Sequence, residues 1–163
     1  MAKKKSQATK LAKRTSKPVP ARSLLGDLRQ LIETAREQTA RAVNSTLVTM
    51  YWQIGKRIQE DVLKSERASY GDEIVSTLSR QLSADYGRGF SEKSLRHMIR
   101  FAEAFPDFKI VSALMTQLGW THFLHIIPID DPLKREFYAE MCRIENWSTR
   151  TLEKKIGGML LMN

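Results

Sequence analysis

Gly87-Arg88-Gly89-Phe90-Ser91-Glu92-Lys93-Ser94-Leu95-Arg96-His97-Met98-Ile99-Arg100 reads as a turn, a cap and an amphipathic helix. The two glycines accept positive φ without strain, so residues 87–89 are expected to turn. Ser91 follows as an N-cap. Phe90 sits just before it and Leu95 at the fourth helical position, the spacing of a hydrophobic staple. The helix is expected to end before Pro106, where a proline stops further turns. Leu95, Met98, Phe101, Ala102 and Phe105 fall on one side of it at intervals of three and four. Lys93, Arg96, His97 and Arg100 fall on another.

Upstream, Ile74, Leu78 and Leu82 form a second helical stripe that ends near Tyr86. The two stripes and the glycine turn predict a helix-turn-helix-like unit at about 70–105. A reader of the major groove needs small polar and basic residues in the first turns of its second helix. The candidate contact set is Ser91, Lys93, Ser94, Arg96, His97 and Arg100, with Arg88 on the phosphate backbone. From Arg88 to Arg100 four basic side chains stand against Glu92 alone, a local charge of +3. The competing reading is an amphipathic helix with a solvated basic face.

The pattern on either side is helical as well. Leu24, Leu28, Leu31, Ile32 and Ala35, then Leu47, Met50, Ile54 and Ile58, predict one long helix over residues 23–63, or two with a break at Asn44-Ser45. Gly55 inside it either weakens the helix or marks close packing against a neighbour. Thr121 is read as the cap of a short helix ending before Pro128. Asp130 or Asp131, with Pro132 at the first helical position, starts another that runs to about Glu145. Trp147, Ser148 and Leu152 repeat the staple at the last helix. Ile110 to Met115 is the one ambiguous run, read as helix, short strand or β-wing. The expected fold is an all-α helical bundle with a disordered basic arm over residues 1–22 and a helical domain over 23–163.

Charge sharpens the reading. The chain has 27 Lys and Arg against 18 Asp and Glu. Eight of the basic residues, Lys3, Lys4, Lys5, Lys10, Lys13, Arg14, Lys17 and Arg22, lie in the first 22 positions with no acid among them. The rest of the chain is therefore nearly neutral, and the high isoelectric point belongs to the arm. Lys3, Lys4, Lys5, Lys10, Lys13 and Arg14 are expected to add phosphate contacts. The arm lacks the apolar core of a secretory signal, and no apolar run is long enough to span a membrane. The single cysteine, Cys142, excludes an intramolecular disulfide and a cysteine-rich zinc site. The expectation is a cytoplasmic protein with no cofactor and no metal.

Three constellations imitate chemistry. His122 and His125 share a helical spacing, but local sequence supplies no third metal ligand. Asp130 with Glu153-x-Lys155 resembles on paper the carboxylates and lysine of a metal-dependent nuclease. Such carboxylates are presented by paired strands, whereas here they are expected at a helix cap and in mid-helix. Trp52, Trp120 and Trp147 could stack on single-stranded bases, yet each adjoins an apolar stripe or a cap, which favours a core role.

An ordered set of motifs adds to this. Tyr51-Trp52-Gln53-Ile54-Gly55-Lys56-Arg57-Ile58, Tyr70-Gly71, Gly87-Arg88-Gly89-Phe90-Ser91 with Leu95, Arg96, Met98 and Phe101, Gln117-Leu118-Gly119-Trp120-Thr121-His122, Arg135-Glu136-Phe137-Tyr138 and Asn146-Trp147-Ser148-Thr149-Arg150-Thr151-Leu152 follow in sequence. Together they resemble the N-terminal helical domain of the bacterial YhcG-like PDDEXK nuclease family, over roughly residues 24–157. The resemblance implies a module that serves nucleic-acid engagement or assembly beside a C-terminal nuclease domain. The chain stops at Asn163, so residues carrying the nuclease chemistry are expected to be absent.

The expected function is thus a non-catalytic nucleic-acid-binding module, for DNA rather than RNA. The alternative is a protein–protein interaction or oligomerisation module without nucleic-acid contact. A homodimer through the long N-terminal helix is compatible with either.

Overall fold

A computed structural model describes the backbone of residues 18–65 and 69–161 and the side chains of residues 23–65 and 69–158. Among these residues every regular element is a helix: α1 (Pro18–Lys64), α2 (Tyr70–Tyr86), α3 (Glu92–Ala104), α4 (Phe108–Leu114), α5 (Trp120–Ile126), α6 (Pro132–Glu145) and α7 (Thr149–Leu161). The all-α expectation holds. The chain divides into two units, one ending at Ala42 and the other beginning at Val43. Residues 1–17 of the arm expected over 1–22 lie outside the described residues, and with them the phosphate contacts at Lys3, Lys4, Lys5, Lys10, Lys13 and Arg14; residues 18–22 of that arm are helical.

α1 begins at Pro18, ahead of the start expected near residue 23. Pro18 and Pro20 both fall in its first turn, where no N–H has an intrahelical partner and a proline therefore forfeits nothing. The helix is continuous through Asn44-Ser45, so the single-helix alternative is the one realised. Asn44 explains why. Its side-chain amide donates to the carbonyls of Met115 at 3.3 Å and Leu118 at 3.1 Å, beyond the end of α4. Committed to a distant partner, the amide does not compete for the backbone of its own helix.

Within the second unit, α3 supplies both halves of the core. Leu95 and Met98 join Ile58 of α1 and Val75 of α2 in one buried cluster. Phe101 and Phe105 join Val48, Val111, Leu118, Phe123 and Leu152 in the other. Phe101 lies at the centre, with ring centroids 4.7 Å from Phe123 and 5.2 Å from Trp120. α2 packs on α3, α5 on α7, and α6 on both α4 and α5. Gly55 sits where α1 passes α3. A Cβ there would lie 1.9 Å from the Met98 carbonyl oxygen and 2.4 Å from its carbon. The close-packing reading of Gly55 is the correct one.

The local signals divide by type. Ser91, Asp131 and Ser148 cap as read. Ser91 Oγ accepts from Ser94 N–H at 3.1 Å, Asp131 Oδ1 from Leu133 N–H at 2.9 Å and Ser148 Oγ from Thr151 N–H at 3.1 Å. Two readings need correction. Ile110–Met115 is no strand: Phe108–Leu114 is helical, because Asp107 caps it at 2.9 Å from Lys109 N–H and Val111 and Leu114, three apart, turn inward. Thr121 is not a cap but an exposed residue inside α5, whose first turn begins from Gly119.

Gly55→Ala drives a methyl into the α3 backbone, which cannot yield as a flexible side chain would. The expected cost is more than about 2 kcal/mol. Gly157→Ala, in α7 with nothing within 4 Å of its Cβ, is expected to gain roughly 0.5–1 kcal/mol. Urea unfolding midpoints of the two variants should move in opposite directions.

Candidate nucleic-acid interface

The buried stripe of α3 determines what its outer face presents. With Leu95, Met98, Phe101 and Ala102 turned into the core, the residues between them must face away. Lys93, Arg96 and Arg100 are exposed and His97 half-buried. Together with Glu92 these four line one shallow depression. Arg88 is exposed in the preceding link, between Gly87 at φ 79° and Gly89 at φ 109°. Both glycines are in the left-handed region that the turn reading required.

Ser91 and Ser94 are joined at the start of the same helix. Ser91 Oγ accepts the Ser94 amide and donates to Ser94 Oγ at 3.0 Å. The Ser91 proton is thus engaged in holding the helix start.

Two relevant residues escape sequence reasoning. Asp72, in the first turn of α2, places Oδ1 3.2 Å from Nη2 of Arg96. Both side chains are solvent-accessible, so the pair adds little stability, but it offsets part of the positive charge of the face. No local pattern links positions 72 and 96; only the packing of α2 on α3 does. Tyr86 is 71% exposed with its ring 6.0 Å from that of Phe90, which sets an aromatic surface beside the Arg88 turn.

His97 has its pKa lowered from the ordinary 6.5, first by partial burial and then by the positive charges of Lys93 and Arg100. It is therefore neutral at pH 7. The unfolded chain binds this proton more readily, so the contribution to stability is present above the ordinary histidine range and is lost as pH falls through the depressed value.

The constellations that imitated chemistry resolve into structure. His122 Nδ1 accepts from Gly119 N–H at 3.0 Å, and Nε2 lies 2.8 Å from the Trp147 carbonyl. The first bond needs a bare Nδ1 and the second a protonated Nε2, so the neutral Nε2–H tautomer satisfies both. The imidazole ties the starts of α5 and α7 together and has no lone pair left for a metal. Asp130 lies in the link before α6, while Glu153 and Lys155 are exposed on α7. Trp52 donates to the Phe105 carbonyl at 2.7 Å, Trp120 packs between Tyr51 and Phe101, and Lys155 sits 5.6 Å above the Trp147 ring. Burial pushes the Cys142 thiol up to about 11, which leaves it protonated and unreactive. Among the described residues no three His, Cys, Asp or Glu side chains gather as a metal would need. Nor is any helix among them long and apolar enough to cross a membrane.

These features define an all-helical domain that presents a basic helix face beside a glycine turn. The chain belongs to the family of the DUF1016 N-terminal domain, whose model matches residues 27–162. It is also 30% identical, over 156 residues, to "Putative nuclease YhcG" of Escherichia coli strain K12, a match that covers 77% of this chain and 42% of that relative. The chain thus spans well under half the length of the curated relative it matches. No solved structure matches.

An NMR titration of His97 should show a midpoint below 6.5, rising toward it when Lys93 and Arg100 are both replaced by Ala. A wild-type midpoint at or above 6.5 would contradict this reading of its surroundings.

Proposed function

We propose that this domain binds nucleic acid, duplex DNA in preference to RNA, and does so without catalysis of its own. One observation carries the reading: Lys93, Arg96, His97 and Arg100 share a single outward depression on α3, directly after a helix and a five-residue link. In this reading α2 and α3 act as a helix-turn-helix pair, with the N-terminal half of α3 in the major groove and Arg88 on a phosphate. B-form DNA admits a helix there, whereas the deep, narrow major groove of A-form RNA does not. The likeness to a relative named as a nuclease supports the assignment, because a nuclease must hold its substrate before it cuts. The nuclease chemistry of such a protein is assigned to the length beyond the matched part. The basic N-terminal segment adds sequence-independent phosphate contacts, and the protein works in the cytoplasm.

Fluorescence anisotropy on duplex DNA, single-stranded DNA and duplex RNA at stepped salt tests this. Duplex DNA should bind tightest. Deleting residues 1–17 should flatten the logarithmic salt slope by about 0.9 for each phosphate that this segment neutralises. Arg96→Ala with Arg100→Ala should weaken the remaining binding by about tenfold or more. Asp72→Asn, which frees Arg96 and removes a negative charge, should strengthen it. Absence of binding by the shortened domain to all three probes at low salt would refute the proposal.

A further inference from the structure

The N-terminal half of α1 carries an apolar face that the described residues leave open. Leu24, Leu28, Leu31 and Ile32 are between 47% and 67% exposed. Leu24, Leu28, Leu31, Ala35 and Gln38 recur at alternating intervals of four and three, the seam of a helix that pairs with another helix. We infer that this seam is an interface between two copies of the chain, packed as an antiparallel helix pair whose two-fold axis passes near Glu33. The inference does not depend on nucleic-acid binding.

Three observations select this occupant and this direction. The first is shape. Leu31, Thr34, Ala35 and Gln38 stand at i, i+3, i+4 and i+7, the four positions that make a hole for a partner's knob. They line a shallow depression together with Asp27 and Gln30. Ala35 leaves it open, and an antiparallel pair brings Leu31 of a second copy over it, large on small. The second is the flank. The same register sets Ile32 against Ile32 of the second copy, covering an aliphatic side chain that the single chain leaves 52% exposed.

The third is charge. On the other flank Asp27 meets Arg41 of the second copy, and by symmetry Arg41 meets Asp27. Both are exposed and neither forms an ion pair among the described residues. Within one chain they are about 21 Å apart along the helix and cannot reach each other. A parallel pair would instead set Asp27 beside Ile32. Gln38, a polar residue in the seam, lies opposite Leu28 and helps to fix the register at some loss of affinity. The seam is shorter than a standard interface of about 1,600 Å² would need, so association is expected in the micromolar range.

Sedimentation equilibrium of the full, nuclease-treated chain across the micromolar range tests the pairing. The expected result is a concentration-dependent rise from one chain mass to two. Leu31→Glu should weaken dimerisation by more than about tenfold, since it puts a charge in the seam. Asp27→Arg and Arg41→Asp should each weaken it by about fivefold, because each breaks both symmetry-related ion pairs of the dimer. Combining them in one chain should restore affinity to within about twofold, because the pairs re-form with reversed sign. These positions take no part in the described cores, and far-UV circular dichroism of each variant verifies that the fold is kept. A chain that remains monomeric throughout, a dimer indifferent to Leu31→Glu, or a double charge variant weaker than both singles would each overturn the inference.

Discussion

At Gly55 two backbones of the second unit lie too close for a side chain between them. Gly55 lets α1 pass α3 at a distance where any side chain would collide with the Met98 carbonyl. That contact holds α3 by its main chain as well as by its side chains. With α1 pressed against it, α3 must turn Leu95, Met98 and Phe101 into the two cores, and the residues between them are left to solvent. The basic face is thus the complement of the buried one. Packing sets its position and leaves its composition to other demands.

Electrostatics then acts on a surface already placed. Because the chain beyond residue 22 is almost neutral, a small group of like charges stands out from its surroundings more than it would on a uniformly basic protein. Partial burial first, and then the neighbouring charges of Lys93 and Arg100, lower the pKa of His97. Asp72 works in the other direction by engaging Arg96. The basic residues of α7, Arg150, Lys154 and Lys155, behave differently: Lys155 lies over the Trp147 ring and Glu153 stands among them, so that face is a solvated helix end.

What can be read along the chain is what neighbouring residues decide among themselves. Ser91, Asp131 and Ser148 cap the helices that follow them because the bonds span two or three residues. The glycine turn and the stripe of α3 are legible for the same reason. Ile110–Met115 is ambiguous in sequence because a short apolar run suits strand and helix alike; a capping aspartate three positions earlier decides it. Thr121 misleads as a cap because α5 starts from Gly119, with the His122 ring bonding back to the Gly119 amide. Contacts across the fold are not legible at all. The Asn44 amide on Met115 and Leu118, the His122 ring on Trp147 and the Asp72 carboxylate on Arg96 each join residues more than twenty positions apart. Of the candidate site, the residue types and their common face are readable, while the acidic partner and the aromatic neighbour are not.

The single thiol has a consequence for how this domain opens. Cys142 is 1% exposed, and burial keeps its proton on at neutral pH. A thiol reagent therefore finds it only when α6 separates from the core it shares with Phe123 and Leu152. The domain carries one built-in clock for that separation, with no second cysteine to blur the reading. If α6 detaches by itself, labelling runs faster than global unfolding; if the aromatic centre around Phe101 must melt first, the two rates coincide.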